Sequence, residues 1–362
     1  MKTGIIGLPN AGKSTLFNAL TRAGVSAEQY PFCTIDPNVG VVPVPDSRLD
    51  ILRAHVETGA VYPAILQLVD IAGLVRDAHK GEGLGNKFLS HIREVDALFH
   101  VVRCFEDEQV AHVDGSMDPV RDIETVETEL LCADLQLIEG ALEKARRAAR
   151  LPEQEARTRL SLLERCHALL ADGRPARLLA ESDPEHAHTL RHLGLLTARR
   201  MLYIANMDEA PSDSARFDAI RAFAESNGGV ALPLCARLEA ELAELDEADR
   251  TEMMASLDLK EPVLDRVIQA MFDLLGLITF FTTTGGKEIR AWPMAAGTRA
   301  PQAAGIIHTD FEKGFIRAEV YPVSALEQYG SESAVRAAGK LRIEGKNYVV
   351  QDGDVCHFLF NP

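Results

Sequence analysis

The sequence predicts an α/β fold in which a mostly parallel sheet with crossover helices is interrupted by a helical insert and followed by a small α+β domain. Three observations predict it. Short apolar strands alternate with helical patterns over the first two-thirds of the 362 residues. Between the fourth and fifth candidate strands lie about a hundred residues, where a crossover needs only ~10–12. Near Leu277 the pattern turns β-rich and stays so to the end.

The candidate strands are Thr3–Ile6, Val39–Val44, Ala64–Val69, Ala97–Val102, Met201–Ala205 and Val230–Leu234. In the insert, Ile123, Val126, Leu130, Ala133, Leu137 and Ala141 recur at spacings of three and four, a stripe on one helix face. Leu160, Leu163, His167 and Leu170 repeat the pattern, and Leu151-Pro152 marks a break between the two. This predicts two long helices paired as an antiparallel coiled coil; two ordinary amphipathic helices lying on the sheet are the alternative. Beyond them, Leu277–Thr283 and Glu288–Trp292 read as strands around a hairpin-like Thr284-Gly285-Gly286-Lys287 turn. Phe315–Val320, Tyr348–Val350 and Val355–Phe360 continue in the β style, with a helix over Ser333–Lys340. The expected domains are therefore 1–122 with 200–276, an insert at 123–199, and a C-terminal domain at 277–362.

Bulk composition narrows the function classes. Apolar residues at 46% and charged residues at 25% describe an ordinary globular chain. No apolar run reaches the roughly 20 residues of a membrane helix, and Met1-Lys2-Thr3 leads straight into an apolar strand without a separate leader. A cytoplasmic protein without a membrane partner is expected. The six cysteines are scattered singly, which argues for reduced thiols over a metal cluster or disulfides. A formal charge of −16 excludes nucleic-acid binding through the whole surface but leaves room for a local basic patch.

Gly7-Leu8-Pro9-Asn10-Ala11-Gly12-Lys13-Ser14 fits the G-x-x-x-x-G-K-[ST] phosphate loop at every fixed position. Apolar Ile5-Ile6 supplies the incoming strand, and Leu16, Phe17 and Leu20 supply the stripe of the following helix. A triphosphate needs many donors at short range, which glycine-rich backbone and a helix N-terminus provide. Asn10, Ala11, Gly12, Lys13, Ser14 and Thr15 are the expected nucleotide contacts. Lys13 should reach the β- and γ-phosphates, and the Ser14 hydroxyl should bind Mg²⁺.

Asp70-Ile71-Ala72-Gly73 follows a buried-strand pattern, as a metal carboxylate and a γ-phosphate-sensing glycine would. Asp70 is expected to reach Mg²⁺ through water. Thr34, in Tyr30–Asn38, lies where a first switch loop would offer a second hydroxyl to the metal. Leu74 stands where related GTPases carry the glutamine that orients the attacking water, and leucine has no hydrogen-bonding group. The glycine-dense Lys80–Asn86 suits a second switch. His112 is a candidate replacement for the missing glutamine, since a loop histidine can hold or deprotonate water near neutral pH.

A guanine reader needs Asn-Lys-x-Asp after the fifth strand, but this chain has Asn206-Met207-Asp208-Glu209. The lysine has become methionine, and a glutamate one methylene longer replaces the aspartate. Asn206 is expected to pair with N7 and N6 of adenine, with Met207 lying on the ring or offering backbone contacts and Glu209 nearby. ATP over GTP follows.

Taken with Val101-Val102-Arg103-Cys104-Phe105, Gly81–Phe88 and Asp118–Thr125, these motifs resemble the YchF / Obg-like ATPase family across essentially the whole chain. The resemblance implies a P-loop domain of the GTPase type and a C-terminal β-grasp domain of the TGS kind. It further implies ATP preference, Mg²⁺ dependence, ribosome association through the large subunit or the 70S particle, and a role in translation or stress response. It implies that a histidine matching His112 assists hydrolysis in place of the missing glutamine and, through Asn10, suggests K⁺ activation. ATP and ADP, the ribosome and an rRNA contact through a basic patch are the expected partners, with the chain itself a monomer. A GTPase of the same class, or an adaptor with incidental hydrolysis motivated by Leu74, are the competing functions.

Overall fold

Six strands, most of them apolar along their length, set the first of two six-stranded sheets. The computed structural model describes residues 1–22, 38–71, 84–107, 110, 116–149, 154–182, 184–209, 214–259, 261–283 and 287–361. Thr34, Gly73, Leu74 and His112, with most of both candidate switch segments, lie outside them.

In chain order, β1 (Lys2–Ile6), α1 (Lys13–Arg22) and β2 (Val39–Pro43) come first, followed by α2 (Arg48–His55) and β3 (Ala60–Tyr62). Then come β4 (Ile65–Asp70), α3 (Leu84–Arg93) and β5 (Ala97–Arg103). Helices α4 (Pro119–Ala148), α5 (Gln154–Ala171), α6 (Arg177–Ser182) and α7 (Pro184–His192) form the insert before β6 (Arg200–Asn206), α8 (Ser214–Ser226) and β7 (Gly229–Leu234). After α9 (Ala236–Leu242), α10 (Glu247–Ser256) and α11 (Val263–Leu274), the chain enters β8 (Leu277–Thr283) and β9 (Glu288–Ala295). It closes with α12 (Ala300–Ile307), α13 (Thr309–Lys313), β10 (Phe315–Pro322), α14 (Val323–Tyr329), α15 (Glu332–Ala337), β11 (Arg342–Glu344) and β12 (Asp354–Phe360).

The chain divides into two units: residues 1–41 with 67–264, and residues 42–66 with 265–362. The first sheet runs β2-β4-β1-β5-β6-β7. Strand β1 lies parallel to β4 and β5, and β6 lies parallel to β5 and β7. Every residue of β5 is buried, as a central parallel strand covered on both faces requires.

The long helix α4 departs from its expected single stripe. Ile123, Val126, Leu130 and Ala133 join the core of the parallel sheet. Further along, Leu131, Ile138, Leu142 and Ala145 pack instead with Leu162, Leu163, Cys166 and Leu170 of α5. The buried face rotates because the helix serves two cores in succession, so Leu137 and Ala141 end at the margin of the second. In α5, Cys166 is buried and His167 only partly so. The short α6 and α7, absent from the sequence reading, complete this core through Leu190 and the segment that follows.

Two buried carboxylates tie the insert to the sheet. Asp134 accepts from Leu196 N (2.8 Å), Thr197 N (2.8 Å) and Thr197 Oγ1 (2.6 Å), which sets the approach to β6. Burial pushes its carboxyl up to about 6 against the pull of these donors. Glu127 of α4 pairs with Arg177 of α6 (2.8 Å) and accepts from the Tyr203 hydroxyl on β6. Burial opposes its charge, but Arg177 and Tyr203 outweigh that and hold it below the usual carboxylate range.

In the second unit the strands run β11-β10-β12-β8-β9-β3. Strands β8 and β9 are antiparallel, as are β10 and β12, while β12 and β8 run parallel. Phe280, Met294, Ala303 and Val320 are among the residues of its core. The compact unit is wider than the expected 277–362, because β3 pairs in parallel with β9 and draws 42–66 into it. Arg48 reinforces the arrangement with ion pairs to Asp46 and Asp352, both 2.7 Å, while Asp352 also accepts from Thr279 N at 2.9 Å. A three-residue strand carries too short a pattern to be seen in sequence. Tyr348–Val350 is not a strand: Val349 makes a single bridge with Arg299, and the Tyr348 hydroxyl donates to Asp354 (2.6 Å) across a turn.

Removing one partner of the buried Glu127–Arg177 pair leaves the other charge without its match. Arg177→Ala is expected to lower unfolding free energy by about 3–5 kcal/mol, whereas Glu127→Leu with Arg177→Met should recover most of it. Because the Glu127 carboxyl is depressed, the pair contributes fully at neutral pH, and its contribution is lost as pH falls through the folded pKa. Denaturant titration of the single and double variants at two pH values checks both expectations.

Candidate functional site

The phosphate loop is the turn between β1 and α1, and its backbone explains its residues. Gly7 and Gly12 adopt φ of 146° and 95°, conformations that L side chains rarely take. A Cβ on Gly7 would stand 2.4 Å from the Val101 carbonyl oxygen, and one on Gly12 would stand 2.2 Å from Asn206 Nδ2. Asn10 sits at φ 64°, which asparagine tolerates better than most residues. Ser14 and Thr15 are exposed in the first turn of α1, where unpaired backbone N–H groups and the helix dipole favour an anion.

Lys13 bends over the loop and donates from Nζ to the Leu8 carbonyl at 2.9 Å. Burial pushes its ammonium down, and the Asp70 carboxylate partly counters this. Asp70, at the end of β4, is pushed up by burial and pulled back by Lys13. Each charge is thus underpaid by solvent and has the other as countercharge. An arriving phosphate would favour charged Lys13, and a divalent cation would favour ionised Asp70. The Ser14 hydroxyl and the Asp70 carboxylate are hard oxygen donors, the type that magnesium selects when it keeps waters and phosphate oxygens as its remaining ligands.

The other end of the site is a cavity of ≈ 450 Å³, running from Gly12 and Thr15 to Phe105, Met207, Glu209 and Arg237. Its floor is the turn after β6. Met207 is 7% exposed and donates from its backbone to the Leu234 carbonyl (2.8 Å). Glu209 is more than half exposed, and its carboxylate lies 4.0 Å from Arg237 Nε.

Asn206 is held from two sides. Its Nδ2 donates to the Ala11 carbonyl (3.0 Å), and its Oδ1 accepts from Ala236 N (2.9 Å), with the residue 5% exposed. Through these two bonds Asn206 braces the phosphate loop against the start of α9, and a carboxamide so held still has a second Nδ2 hydrogen and a second Oδ1 lone pair. The remaining expected residues Asn10, Ala11, Gly12, Lys13, Ser14, Thr15, Asp70, Met207 and Glu209 are placed along the same loop, strand end and cavity. Phe105 and Arg237 were missed as cavity residues. The signal available for Phe105 was an aromatic two residues beyond a buried arginine at a strand end. For Arg237 there was none, because its reach into the site depends on how α9 packs.

The comparisons agree with this geometry. Residues 2–133 match the family model described as a 50S ribosome-binding GTPase, and residues 277–361 match that of the YchF GTPase C-terminal region, described as a protein of unknown function. The ribosome-binding ATPase YchF of Haemophilus ducreyi is 50% identical over 361 residues, covering 99% of each chain. That of Bacillus subtilis is 45% identical over 365 residues, covering 100% of this chain and 99% of the relative. Human Obg-like ATPase 1 is 42% identical over 368 residues, covering 100% of this chain and 92% of the relative. The solved structure of the Schizosaccharomyces pombe YchF GTPase superposes with a TM-score of 0.86 at 37% identity, covering 99% of this chain and 97% of that one. With a GTPase-type phosphate loop, an altered base-reading turn and relatives aligned from end to end, this chain belongs to the YchF / Obg-like ATPase family.

Proposed function

We propose that the chain hydrolyses ATP to ADP and phosphate and acts as a nucleotide-dependent switch on the ribosome, in the cytoplasm and as a monomer. The observation that carries the nucleotide preference is the floor of the cavity. Guanine recognition needs a carboxylate facing N1–H and N2–H₂, and here Glu209 is turned toward Arg237 while Met207 replaces the lysine that would cover the ring. Relatives named ribosome-binding ATPase and Obg-like ATPase support both the activity and the ribosomal partner. The large subunit or 70S particle, with an rRNA contact through a basic patch, is the proposed docking target. In this reading α4 and α5 form the coiled-coil arm, and the C-terminal sheet serves as a TGS-type module.

Lys13 gives up its bond to Leu8 to hold the β- and γ-phosphates, while the loop amides and the α1 N-terminus carry the rest of their charge. Ser14, Asp70 and Thr34 would hold Mg²⁺, which when bound neutralises phosphate charge that builds up in the transition state. Asn10 is the residue through which K⁺ would act. The backbone N–H of Gly73 senses the γ-phosphate. Since Leu74 cannot orient water, His112 takes that role as the switches close.

Lys13→Ala is expected to weaken ATP binding steeply, because the loop loses its only ammonium; calorimetry at fixed Mg²⁺ reads the loss. Wild-type protein should bind ATP and ADP more tightly than GTP and GDP in competition. Met207→Lys combined with Glu209→Asp should raise GTP affinity, and a wild type preferring GTP would overturn the base assignment. His112→Ala should keep ATP affinity but lose hydrolysis by roughly 10²–10⁴-fold. Single-turnover rates at matched occupancy decide this last point, with near-wild-type cleavage removing His112 from the mechanism.

A further inference from the structure

Strand β5 ends on Arg103, a charged residue that is only 6% exposed. Arginine is seldom buried without dedicated acceptors, and here these include main-chain oxygens of the segment that follows. Nε donates to the Phe105 carbonyl and one terminal nitrogen to the Asp107 carbonyl, both at 3.3 Å. The guanidinium carbon also lies 4.6 Å from the centroid of the Phe105 ring. A planar guanidinium can do both at once, donating in its plane while its face covers an aromatic ring. Phe105 itself lines the cavity together with Met207 and Arg237.

The same segment is pinned from its other side. Arg216 of α8 donates to the Cys104 carbonyl (3.3 Å) and pairs with Glu106 (2.5 Å). Two further bonds join the segment to the base-reading turn: Cys104 N to the Asn206 carbonyl (2.8 Å), and Glu106 N to Asp208 Oδ2 (3.4 Å). The carbonyls of residues 104, 105 and 107 are thus held by two arginines, and the amides of 104 and 106 by the turn that forms the cavity floor.

We propose that Arg103 is a positioning residue that presets Phe105 as the stacking wall for the nucleotide base, with Arg216 steadying the same segment. This role rests on reading the cavity as the adenine seat. Stacking of a base on an aromatic ring changes affinity by roughly ten- to a hundredfold and is indifferent to which base is bound. Arg103 therefore contributes to affinity for the base moiety of ATP and GTP alike, while Met207 and Glu209 choose between them. Arg103 has no part in holding phosphate.

Titrations with ADP and with inorganic tripolyphosphate, both with Mg²⁺, test the role. Arg103→Ala should lose about tenfold or more in ADP affinity while tripolyphosphate affinity stays within about twofold. Arg103→Lys should recover less than half of the loss, because an ammonium cannot donate to two carbonyls and cover the ring together. Adding Arg103→Ala to Phe105→Ala should cost little beyond Phe105→Ala alone, as expected of residues acting as one unit. Arg216→Ala, which alters a more exposed side chain, should show the same pattern to a smaller degree and serves if Arg103→Ala folds poorly. Unchanged ADP affinity, an equal loss for tripolyphosphate, or full additivity with Phe105→Ala would overturn the proposal while leaving the cavity reading intact. Wild-type protein binding tripolyphosphate as tightly as ADP would overturn the cavity reading and this role together.

Discussion

The site depends on one carboxamide. Asn206 reaches from the end of β6 to the Ala11 carbonyl with its nitrogen and to Ala236 N with its oxygen. These two bonds hold the phosphate loop at a set distance from the start of α9 and hence from the base cavity. The contact is close enough to exclude any side chain at position 12, where a Cβ would meet Asn206 Nδ2 at 2.2 Å. The second glycine of the loop is therefore required as much by its neighbour across the sheet as by its own backbone conformation. Asn206 in turn is only as well placed as β6, and β6 is positioned by the helical insert. Asp134 holds the residues leading into the strand, and Glu127 with Arg177 holds Tyr203 within it. Stability of the insert and geometry of the nucleotide site are in this sense a single property.

Charge within the site is arranged against the charge of the whole. The chain carries a formal −16, yet its phosphate end presents an ammonium, exposed helix-terminal donors and backbone amides. Lys13 and Asp70 are each moved toward their neutral forms by burial and restrained by one another. A site poised this way responds strongly to an arriving phosphate or cation, because either ligand stabilises the charged form of the nearer residue. Polarity at the base end is different. Ion pairs at its rim, such as Arg237 with Glu209 and Glu241, are largely exposed and contribute little energy.

The second unit shows how a short excursion can belong to a distant part of the chain. Residues 42–66 leave the parallel sheet after β2 and return to it at β4, and in between they supply an edge strand and the Arg48 clasp to the C-terminal sheet. The same excursion separates the strands that flank the two candidate switch segments. Strand pairing, not sequence proximity, decides its membership.

Much of this protein is determined by sequence alone, since its signals are local. The phosphate loop, the strand before it and the stripe after it are contiguous, so Gly7, Gly12, Lys13 and Ser14 declare their chemistry without a fold. Each strand of the parallel sheet announces itself by a run of apolar residues, and the departure of Met207 and Glu209 from a guanine reader is visible by inspection. Tertiary structure decided what depends on a second, distant partner. It showed Asn206 bracing the loop, because both acceptor and donor for its amide come from segments far away in the chain. It split the stripe of α4 between two cores, since helical periodicity reveals that a face is buried but not against what. It gave β3 to the C-terminal sheet and Phe105 to the cavity wall for the same reason. Pairing energy is a property of two surfaces meeting, and a linear pattern describes only one of them.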